Sequence, residues 1–310
     1  MLSPSDFFLL PFSDWINVLV REWLVPNFRP FFRALQVPVT LILDWLDTFF
    51  NTVPMMAFTA VLAFVAWRLV GRGMAIFTLL ALLFIDLIGL WPETMTTLSM
   101  IVTSVLFCVV LGIPMGIAAA RSDRVLTVVR PVLDIMQTIP SFVYLVPIVM
   151  LFGVGMAPGI VATIIFALPP IVRLTNLGIR NVRGDLIEAA EAFGSTPWQM
   201  LISVQLPLAL RTIMAGLNQT LMLALSMVVI TSMIGAGGLG LTVYTGLGRL
   251  DVGGATAGGL AIVLLAIILD RITQALGESQ GFRTVSLRQT LLSFFRRGTP
   301  VSSGETRKAV

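Results

Sequence analysis

The sequence consists mainly of long apolar stretches separated by short polar connections. Seven stretches are predominantly apolar over about 20 residues, the length that a helix needs to cross the hydrocarbon core of a bilayer. The predicted spans cover residues 51–70, 73–91, 95–119, 132–153, 157–178, 208–233 and 254–275. We therefore expect an all-α polytopic membrane protein with about seven transmembrane helices.

The positions of the arginines predict how these spans are oriented. Basic residues lie in the connections after the first, third and fifth spans and in the C-terminal tail. The second and fourth connections have none, and the sixth has only Arg249. Because cytoplasmic connections carry an excess of Lys and Arg, the odd connections and the C-terminus are predicted to be cytoplasmic. An odd number of spans then places the N-terminus outside a bacterial inner (plasma) membrane.

The two ends of the chain have different patterns. In residues 1–50, Trp and Phe alternate with Arg and Glu, which is typical of an amphipathic helix along the membrane interface, here the outer one. An extra span before residue 51 is disfavoured because that segment contains Asp44 and Asp47. Residues 277–310 are polar and Ser/Arg-rich, so we expect a mobile cytoplasmic tail.

Composition excludes several classes of function. Only 12% of the residues are charged, there is no histidine, and the single cysteine is Cys108. Histidine acid–base chemistry, histidine metal sites and an internal disulfide are therefore excluded. A P-loop requires G-x-x-x-x-G-K-[ST], and the only lysine, Lys308, lies in R-K-A-V. We expect no metal or cofactor on this chain, and any ATP hydrolysis must occur on a partner chain.

The connection after the fifth span carries the strongest local signals. It reads G-D-L-I-E-A-A-E-A-F-G from residue 184 to 194. Asp185 is predicted to be an N-cap, with Glu188 three residues later completing a capping box. The helix over 186–193 is predicted to stop at Gly194, in the left-handed position that follows many helices.

A second helix is predicted directly after this glycine. Thr196 is the expected N-cap, followed by proline at the first helical position and by Gln199 three residues after the cap. Pro207 is predicted to mark the start of the next span. Local chemistry thus predicts a helix–glycine–helix hairpin over 185–207, with a first helix that is thin because it is rich in alanine.

The spacing of this segment is specific. E-A-A, three residues, Gly, nine residues and V-x-L-P resembles the EAA signature of binding-protein-dependent ABC importer permeases. The matching residues are Glu188, Ala189, Ala190, Gly194, Val204, Leu206 and Pro207. Val204 stands where isoleucine is commoner. The resemblance implies that the hairpin docks into a cleft on a separate ATPase subunit and transmits closure of the ATPase dimer to the spans.

Further stretches resemble the glycine betaine/proline betaine branch of these permeases, and choline permeases share much of the pattern. They are D-I-M-Q-T-I-P-S-F-V-Y-L-V-P (134–147), T-I-I-F-A-L-P-P-I-V-R-L-T (163–175), N-Q-T-L-M-L-A-L-S-M-V-V-I (218–230) and G-R-L-D-V-G (248–253). The resemblance implies a type I, MetI-like importer with two permeases, two ATPases and an external binding protein. It implies a quaternary-ammonium osmolyte as cargo, recognised by cation–π contacts that we expect on the binding protein.

The resemblance also divides the chain. It implies an N-terminal extension (1–50), additional transmembrane helices (51–93), the permease domain (94–276) and the tail (277–310). An ion-coupled secondary transporter or a membrane scaffold protein would have no need of the hairpin. A different cargo within the importer class stays open.

Polar residues inside the spans are candidates for lining a translocation path. They are Gln137, Tyr144, Asn218, Gln219 and Ser226. Hydrogen bonding between helices explains such residues equally well. Prolines inside the spans, Pro140 among them, predict either bends or packing kinks.

Two further local patterns lead to expectations. Asp134 follows Arg130 by four residues, which predicts an ion pair along one helix. The stretch I-G-A-G-G-L-G at 234–240 matches G-x-G-x-x-G but follows an apolar span and not a strand, so nucleotide binding is disfavoured. We expect a flexible outer loop there, near the face where a binding protein docks.

Overall fold

The computed structural model describes residues 14–15 and 18–278, and every regular element in these ranges is helical. A π-helical segment, Val18–Leu24, leads into the first α-helix. The α-helices are α1 (Val25–Thr52), α2 (Met55–Leu69), α3 (Arg72–Leu87), α4 (Trp91–Arg121), α5 (Asp123–Thr138), α6 (Leu145–Phe152), α7 (Met156–Arg180), α8 (Gly184–Ala192), α9 (Pro197–Gln199), α10 (Leu206–Thr231), α11 (Leu239–Gly248) and α12 (Val252–Glu278). The all-α membrane fold class is confirmed.

Four helices in the described ranges are long and apolar enough to cross a membrane. They are Trp91–Arg121, Met156–Arg180, Pro197–Ile234 and Val252–Gly277, and they match four of the predicted spans. Two bent pairs raise the number to six: Pro30–Thr52 with Met55–Leu69, and Asp123–Thr138 with Ser141–Phe152. The structure thus supports four to six spans by length and composition.

The first two predicted spans are shorter than expected. Helices α2 and α3 have 15 and 16 residues and pack against each other. At a rise of 1.5 Å per residue they are about 23 and 24 Å long, less than the ~30 Å hydrocarbon core. Ala66, Leu82 and Ile85 fill the contact between them.

The predicted span over 132–153 is wrong as a single helix. The chain bends by 104° between Asp123–Thr138 and Ser141–Phe152. Ile139 is extended (φ −72°, ψ 128°), because a residue before proline avoids the helical conformation, and Pro140 follows it. Pro114, in contrast, lies inside the continuous helix α4. Pro140 is therefore associated with a sharp bend, and so is Pro54, which lies at the 103° bend between Pro30–Thr52 and Met55–Leu69.

The N-terminal amphipathic segment is helical, and one of its faces packs against the bundle. Val39 and Leu43 are buried with Met100 and Ile160. The Ser99 hydroxyl donates a hydrogen bond to the Asp47 carboxylate over 3.0 Å. The outer interfacial position of this extension stays a prediction. Residues 1–13 and the tail beyond 278 lie outside the described residues.

The centre of the bundle is formed by α7, which packs more extensively against α4 and α10 than any other pair of helices in the described residues does. Leu168 and Ile171 of α7 are buried against Ile101 of α4 and Leu221 of α10. Glycines allow these helices to approach closely, as small residues do in membranes. A Cβ on Gly116 would lie only 2.5 Å from the Thr175 Cβ. This tightly packed core carries the hairpin at one end, where Leu201 of the hairpin meets Ile179 of α7.

The glycine-rich connection between α10 and α11 is packed into the bundle, whereas the sequence predicts a flexible outer loop there. Ala236 and Leu239 are fully buried. The Leu239 backbone N–H donates to the Thr97 hydroxyl over 2.8 Å. Gly238 has φ +77°, and a Cβ there would collide with Thr97. These glycines therefore allow a close approach of backbone and helix.

Candidate functional site

The first helix of the hairpin begins at Gly184, one residue before the predicted cap. Arg183 occupies the N-cap position and makes no side-chain capping bond. The Arg183 guanidinium pairs with the Asp185 carboxylate at 2.5 Å. The predicted Asp185–Glu188 capping box is therefore wrong. Asp185 lies in the first turn, where a carboxylate is favourable near the positive end of the helix.

The end of this helix is as predicted. Gly194 has φ +79°. Its N–H donates to the Glu191 carbonyl over 2.8 Å, and the Ser195 N–H donates to the Ala190 carbonyl over 3.1 Å. This pair of bonds defines a Schellman motif, which satisfies carbonyls that would otherwise have no partner. The glycine turn of the hairpin is confirmed.

The second helix begins at the predicted cap. The Thr196 hydroxyl accepts a hydrogen bond from the Gln199 N–H, and the Gln199 side chain accepts one from the Thr196 N–H, so the capping box is confirmed. The helix then runs on as one unit from Pro197 to Ile234. Its π-helical segment, Met200–Gln205, ends two residues before Pro207. Pro207 is the second residue of α10, so it marks the start of this α-helical span, as predicted. A proline is tolerated in the first turn because its missing N–H has no α-helical partner there.

The signature residues divide into an exposed part and an anchored part. Glu188, Ala189 and Gly194 are exposed, and no residue of α8 is buried. Ala190, Val204 and Leu206 are half-buried, whereas Pro207 is exposed. Leu206 packs on a small core in which Leu201 of the hairpin meets Ile179, Ala209 and Ile213 of the bundle. The hairpin is therefore held at its base and presents its first helix outward.

Sequence reasoning missed two aromatic residues that flank the glycine turn. Phe193 is 91% exposed and Trp198 is 62% exposed. The Arg121 guanidinium donates to the Pro197 carbonyl over 3.0 Å, which ties the turn to the end of α4. Large apolar side chains on an aqueous surface mark interaction sites. The signal was present in the sequence as F-G-S-T-P-W.

Three of the five candidate pathway residues are hydrogen-bonded inside the bundle. The Gln137 side-chain oxygen accepts from Arg173 over 2.8 Å. The Tyr144 hydroxyl donates to the Met136 carbonyl over 2.5 Å, across the bend after α5. The Asn218 amide donates to Asp270 over 2.9 Å. Structural hydrogen bonding therefore accounts for these three side chains.

The other two candidates share one exposed face of α10. Gln219 and Ser226 are seven residues apart, which places them two turns apart on the same side of the helix. The Ser226 hydroxyl donates to the Met222 carbonyl of its own helix. The structure does not bring all five candidates together, and their role in a pathway stays a prediction.

Ion pairs connect α5 to α7. Asp134 pairs with Arg173 at 2.6 Å, so the predicted pair with Arg130 is wrong. Arg180 pairs with Asp123 at 2.7 Å. Arg173 and Arg180 are seven residues apart and therefore face the same helix. Each pair is partly exposed and contributes little alone, so the two together mainly fix the position of α5.

Comparison with known proteins decides the family. A model of the family described as "Binding-protein-dependent transport system inner membrane component" matches residues 112–280. The chain belongs to this family. The matched residues include α7, the hairpin and α10, and they account for more than half of the chain. This permease is therefore a multi-pass inner-membrane component of an ABC transporter.

The most informative similarities are to permeases whose names include glycine betaine. The permease is 54% identical to the glycine betaine/proline betaine transport system permease protein ProW of Escherichia coli (strain K12), over 91% of this chain and 80% of the relative. It is 48% identical to the glycine betaine/carnitine transport permease protein GbuB of Listeria monocytogenes, over 87% and 96% of the two chains. It is 46% identical to the glycine betaine transport system permease protein OpuAB of Bacillus subtilis, over 86% and 94%.

A solved structure confirms the architecture. The permease matches a chain of the MetNI methionine ABC transporter, in an inward-facing crystal form, with a TM-score of 0.53 and 27% identity. The match covers 61% of this chain and 93% of that chain. The MetI-like fold is thus shown for the larger part of the permease.

A second feature missed in the sequence is the polar cluster around Asp270. Besides Asn218, the Gln274 side chain donates to the Asp270 carboxylate over 2.7 Å, and the Thr273 hydroxyl donates to the Asn218 oxygen over 2.7 Å. These bonds join α10 to α12. The only sequence signal is an acidic residue near the end of an apolar run, which indicates an internal partner in a membrane protein.

Proposed function

We propose that this chain is the permease subunit of an ATP-driven importer for quaternary-ammonium osmolytes: glycine betaine, proline betaine or choline. The names of ProW, GbuB and OpuAB support this cargo class, because each includes glycine betaine. The proposed assembly has two copies of the permease, two ATPase subunits and one external binding protein. Binding-protein dependence is part of the family description, and it supports a partner that supplies the cargo.

The hairpin is the proposed contact with the ATPase, and its geometry is the observation that carries the proposal. The small side chains of Ala189 and Gly194 leave the outward face of α8 and its turn accessible to a cleft. Phe193 and Trp198 supply exposed apolar surface at the same turn. Since the second hairpin helix continues into the bundle, a displacement of the hairpin is passed directly to α10.

The proposed ATP hydrolysis takes place on the partner, because the chain contains no P-loop lysine. The proposed path runs along the exposed face of α10, between two copies of the permease. Gln219 and Ser226 are the favoured lining residues among the five candidates because their side chains are exposed on that face.

An uptake assay tests this function. The permease is co-expressed with the ATPase and binding protein encoded next to its gene, and uptake of labelled glycine betaine and choline is measured in proteoliposomes. We expect uptake that requires ATP and all three components. The control is an ATPase whose P-loop lysine is replaced. Uptake that persists with this control, or ATP hydrolysis by the purified permease alone, would contradict the proposal.

Cysteine labelling tests the proposed orientation. In a Cys108→Ser background, Glu93→Cys is expected to react with an impermeant reagent in intact cells, because the connection before α4 is proposed to be external. Val125→Cys, at the start of α5, is expected to react only after the cells are opened. Labelling of position 125 in intact cells would reverse the orientation.

A further inference from the structure

A cavity of about 480 Å³ lies between the N-terminal helix and the permease core. Its walls come from four helices. Representative lining residues are Phe32 and Val39 of α1, Phe107 and Leu111 of α4, Ile148 of α6 and Ile164 of α7. Neither the names of the relatives nor the proposed contact of the hairpin with the ATPase involves this cavity.

The lining provides no partner for a polar ligand. Every lining side chain is apolar except that of Tyr144. The Tyr144 hydroxyl already donates to the Met136 carbonyl, so its proton is not available to the cavity. A buried water needs two to four polar partners, and apolar cavities without them stay dry or take up apolar molecules. The occupant must therefore be apolar.

The cavity lies at the depth of the hydrocarbon core. Phe107 is near the middle of α4, which spans from Trp91 to Arg121. Ile164 is two turns inside α7. Both helices are long and apolar enough to cross the membrane. At this depth the surroundings of an opening are acyl chains and not water.

Leu35 and Leu111 line the cavity and also reach the protein surface, which indicates an opening beside them. These rim residues are 52% and 46% exposed. A protein helix is about 10 Å across and does not fit a space of this volume, whereas a flexible chain one methylene wide does. Protein interiors are close-packed, so a gap this large between packed helices is normally filled.

We propose that the cavity binds one acyl chain of a bilayer phospholipid. The chain enters between Leu35 and Leu111 and fills the gap between α1 and the core. It contacts α6 just after the bend at Pro140, so it supports the short helix that the bend places there. The lipid is thus a structural ligand of the permease, independent of its cargo.

Photolabelling tests the proposal in the full-length permease, embedded in nanodiscs of phosphatidylethanolamine and phosphatidylglycerol. The probe is a phosphatidylcholine with a diazirine at the end of one acyl chain, and adducts are mapped by peptide mass spectrometry. We expect strong labelling of cavity residues on α4 and α7. In Leu111→Trp the indole blocks the opening. The acyl chain then loses contact with the cavity over about two methylene groups. Its affinity for the cavity, and with it the labelling, is expected to fall about tenfold.

The matched control is Val110→Trp. Val110 is adjacent, is 57% exposed and does not line the cavity, so cavity labelling is expected to stay at the unmodified level. Equal labelling of the cavity in the two variants would overturn the proposal. A photoreactive amino acid at Leu35 in the otherwise unmodified chain gives a second readout. It is expected to capture phospholipid, and capture of a second copy of the chain would overturn the proposal.

Discussion

Two glycines with nearly the same φ occupy opposite kinds of surroundings. Gly194, in the hairpin, has φ +79°, and a Cβ there would have no neighbour within 4 Å. Gly238, in the connection between α10 and α11, has φ +77°, and a Cβ there would lie 2.5 Å from the Thr97 hydroxyl oxygen. The backbone conformation favours glycine at both positions, but packing excludes a Cβ only at Gly238.

This difference predicts different effects of substitution at the two glycines. A substitution at Gly238 forces the connection between α10 and α11 away from α4, so the whole fold responds. A substitution at Gly194 strains one exposed turn and leaves the bundle intact. The hairpin can therefore be tested for function without loss of the fold.

The largest effect is expected for Gly238→Ala. The Cβ collides with Thr97, and the backbone lies in a region essentially restricted to glycine (φ +77°, ψ −164°). Strain and overpacking together should destabilise the permease by about 2–4 kcal/mol. The expected result is a lower membrane level and a lower midpoint of thermal unfolding in detergent.

The neighbouring variant Gly237→Ala is the control. A Cβ there would make an ordinary contact with the Met156 sulfur at 3.6 Å, and Gly237 does not have a positive φ. The thermal stability of Gly237→Ala should be close to that of the unmodified protein. If Gly237→Ala and Gly238→Ala are equally stable, the close packing of Gly238 on Thr97 does not contribute to stability.

The next effect is expected for Gly194→Leu. A residue with a Cβ pays roughly 1 kcal/mol or more in the left-handed conformation, which is small compared with the stability of the bundle. We expect normal membrane levels, little transport and poor recovery of the ATPase on co-purification. Gly73→Leu adds the same side chain at an exposed helical glycine outside the signature and should transport normally.

A substitution by asparagine distinguishes the effect of backbone conformation at this turn from the effect of side-chain size. Asn tolerates the left-handed conformation, so Gly194→Asn should retain more ATPase than Gly194→Leu. Transport at the unmodified rate by Gly194→Leu, with the ATPase fully bound, would refute the coupling role of the hairpin.

A smaller effect is expected for Thr196→Ala. The variant removes the acceptor of the Gln199 N–H, and loss of such a cap costs about 1 kcal/mol, or roughly fivefold in a local equilibrium. Hydrogen exchange of the amides after Thr196 should become about fivefold faster. Thr196→Ser keeps the hydroxyl and should exchange at nearly the original rate. Equal exchange rates in Thr196→Ala and Thr196→Ser would mean that the cap does not stabilise the second helix of the hairpin.

The smallest structural effect is expected for Glu188→Ala. Within the described residues Glu188 has no ion pair or side-chain hydrogen bond, and it does not cap α8. Stability should therefore be unchanged, while transport and ATPase recovery fall less than in Gly194→Leu. Glu191→Ala, an exposed acid outside the signature, should have less effect still. A drop in thermal stability for Glu188→Ala would indicate an internal role.

The sequence predicts the hairpin well where its structure depends on neighbours in the chain. The Thr196–Gln199 capping box and the turn at Gly194 need only residues within five positions of each other. The capping role of Asp185 fails because Arg183, two residues earlier, pairs with its carboxylate. The ion pair with this near neighbour accompanies a helix start two residues earlier than predicted, at Gly184 instead of residue 186.

Contacts between distant helices could not be predicted in this way. Asp134 has Arg130 four residues before it, but the fold brings Arg173 closer. The Asn218–Asp270 bond and the packing of Gly238 on Thr97 likewise depend on the arrangement of helices in the bundle. A single span over 132–153 was expected because its composition is apolar enough, although the residue before Pro140 disfavours a continuous helix.

The uninterrupted helix from Pro197 to Ile234 has a mechanical consequence. Its 38 residues extend about 57 Å from the hairpin to the glycine-rich connection. A helix that moves as one unit behaves as a lever, so a sideways push at one end tilts the other end in the opposite direction about its most tightly packed point. Gly216, where a Cβ would lie 3.0 Å from the Leu174 Cβ, lies near the middle of the helix and is a natural fulcrum.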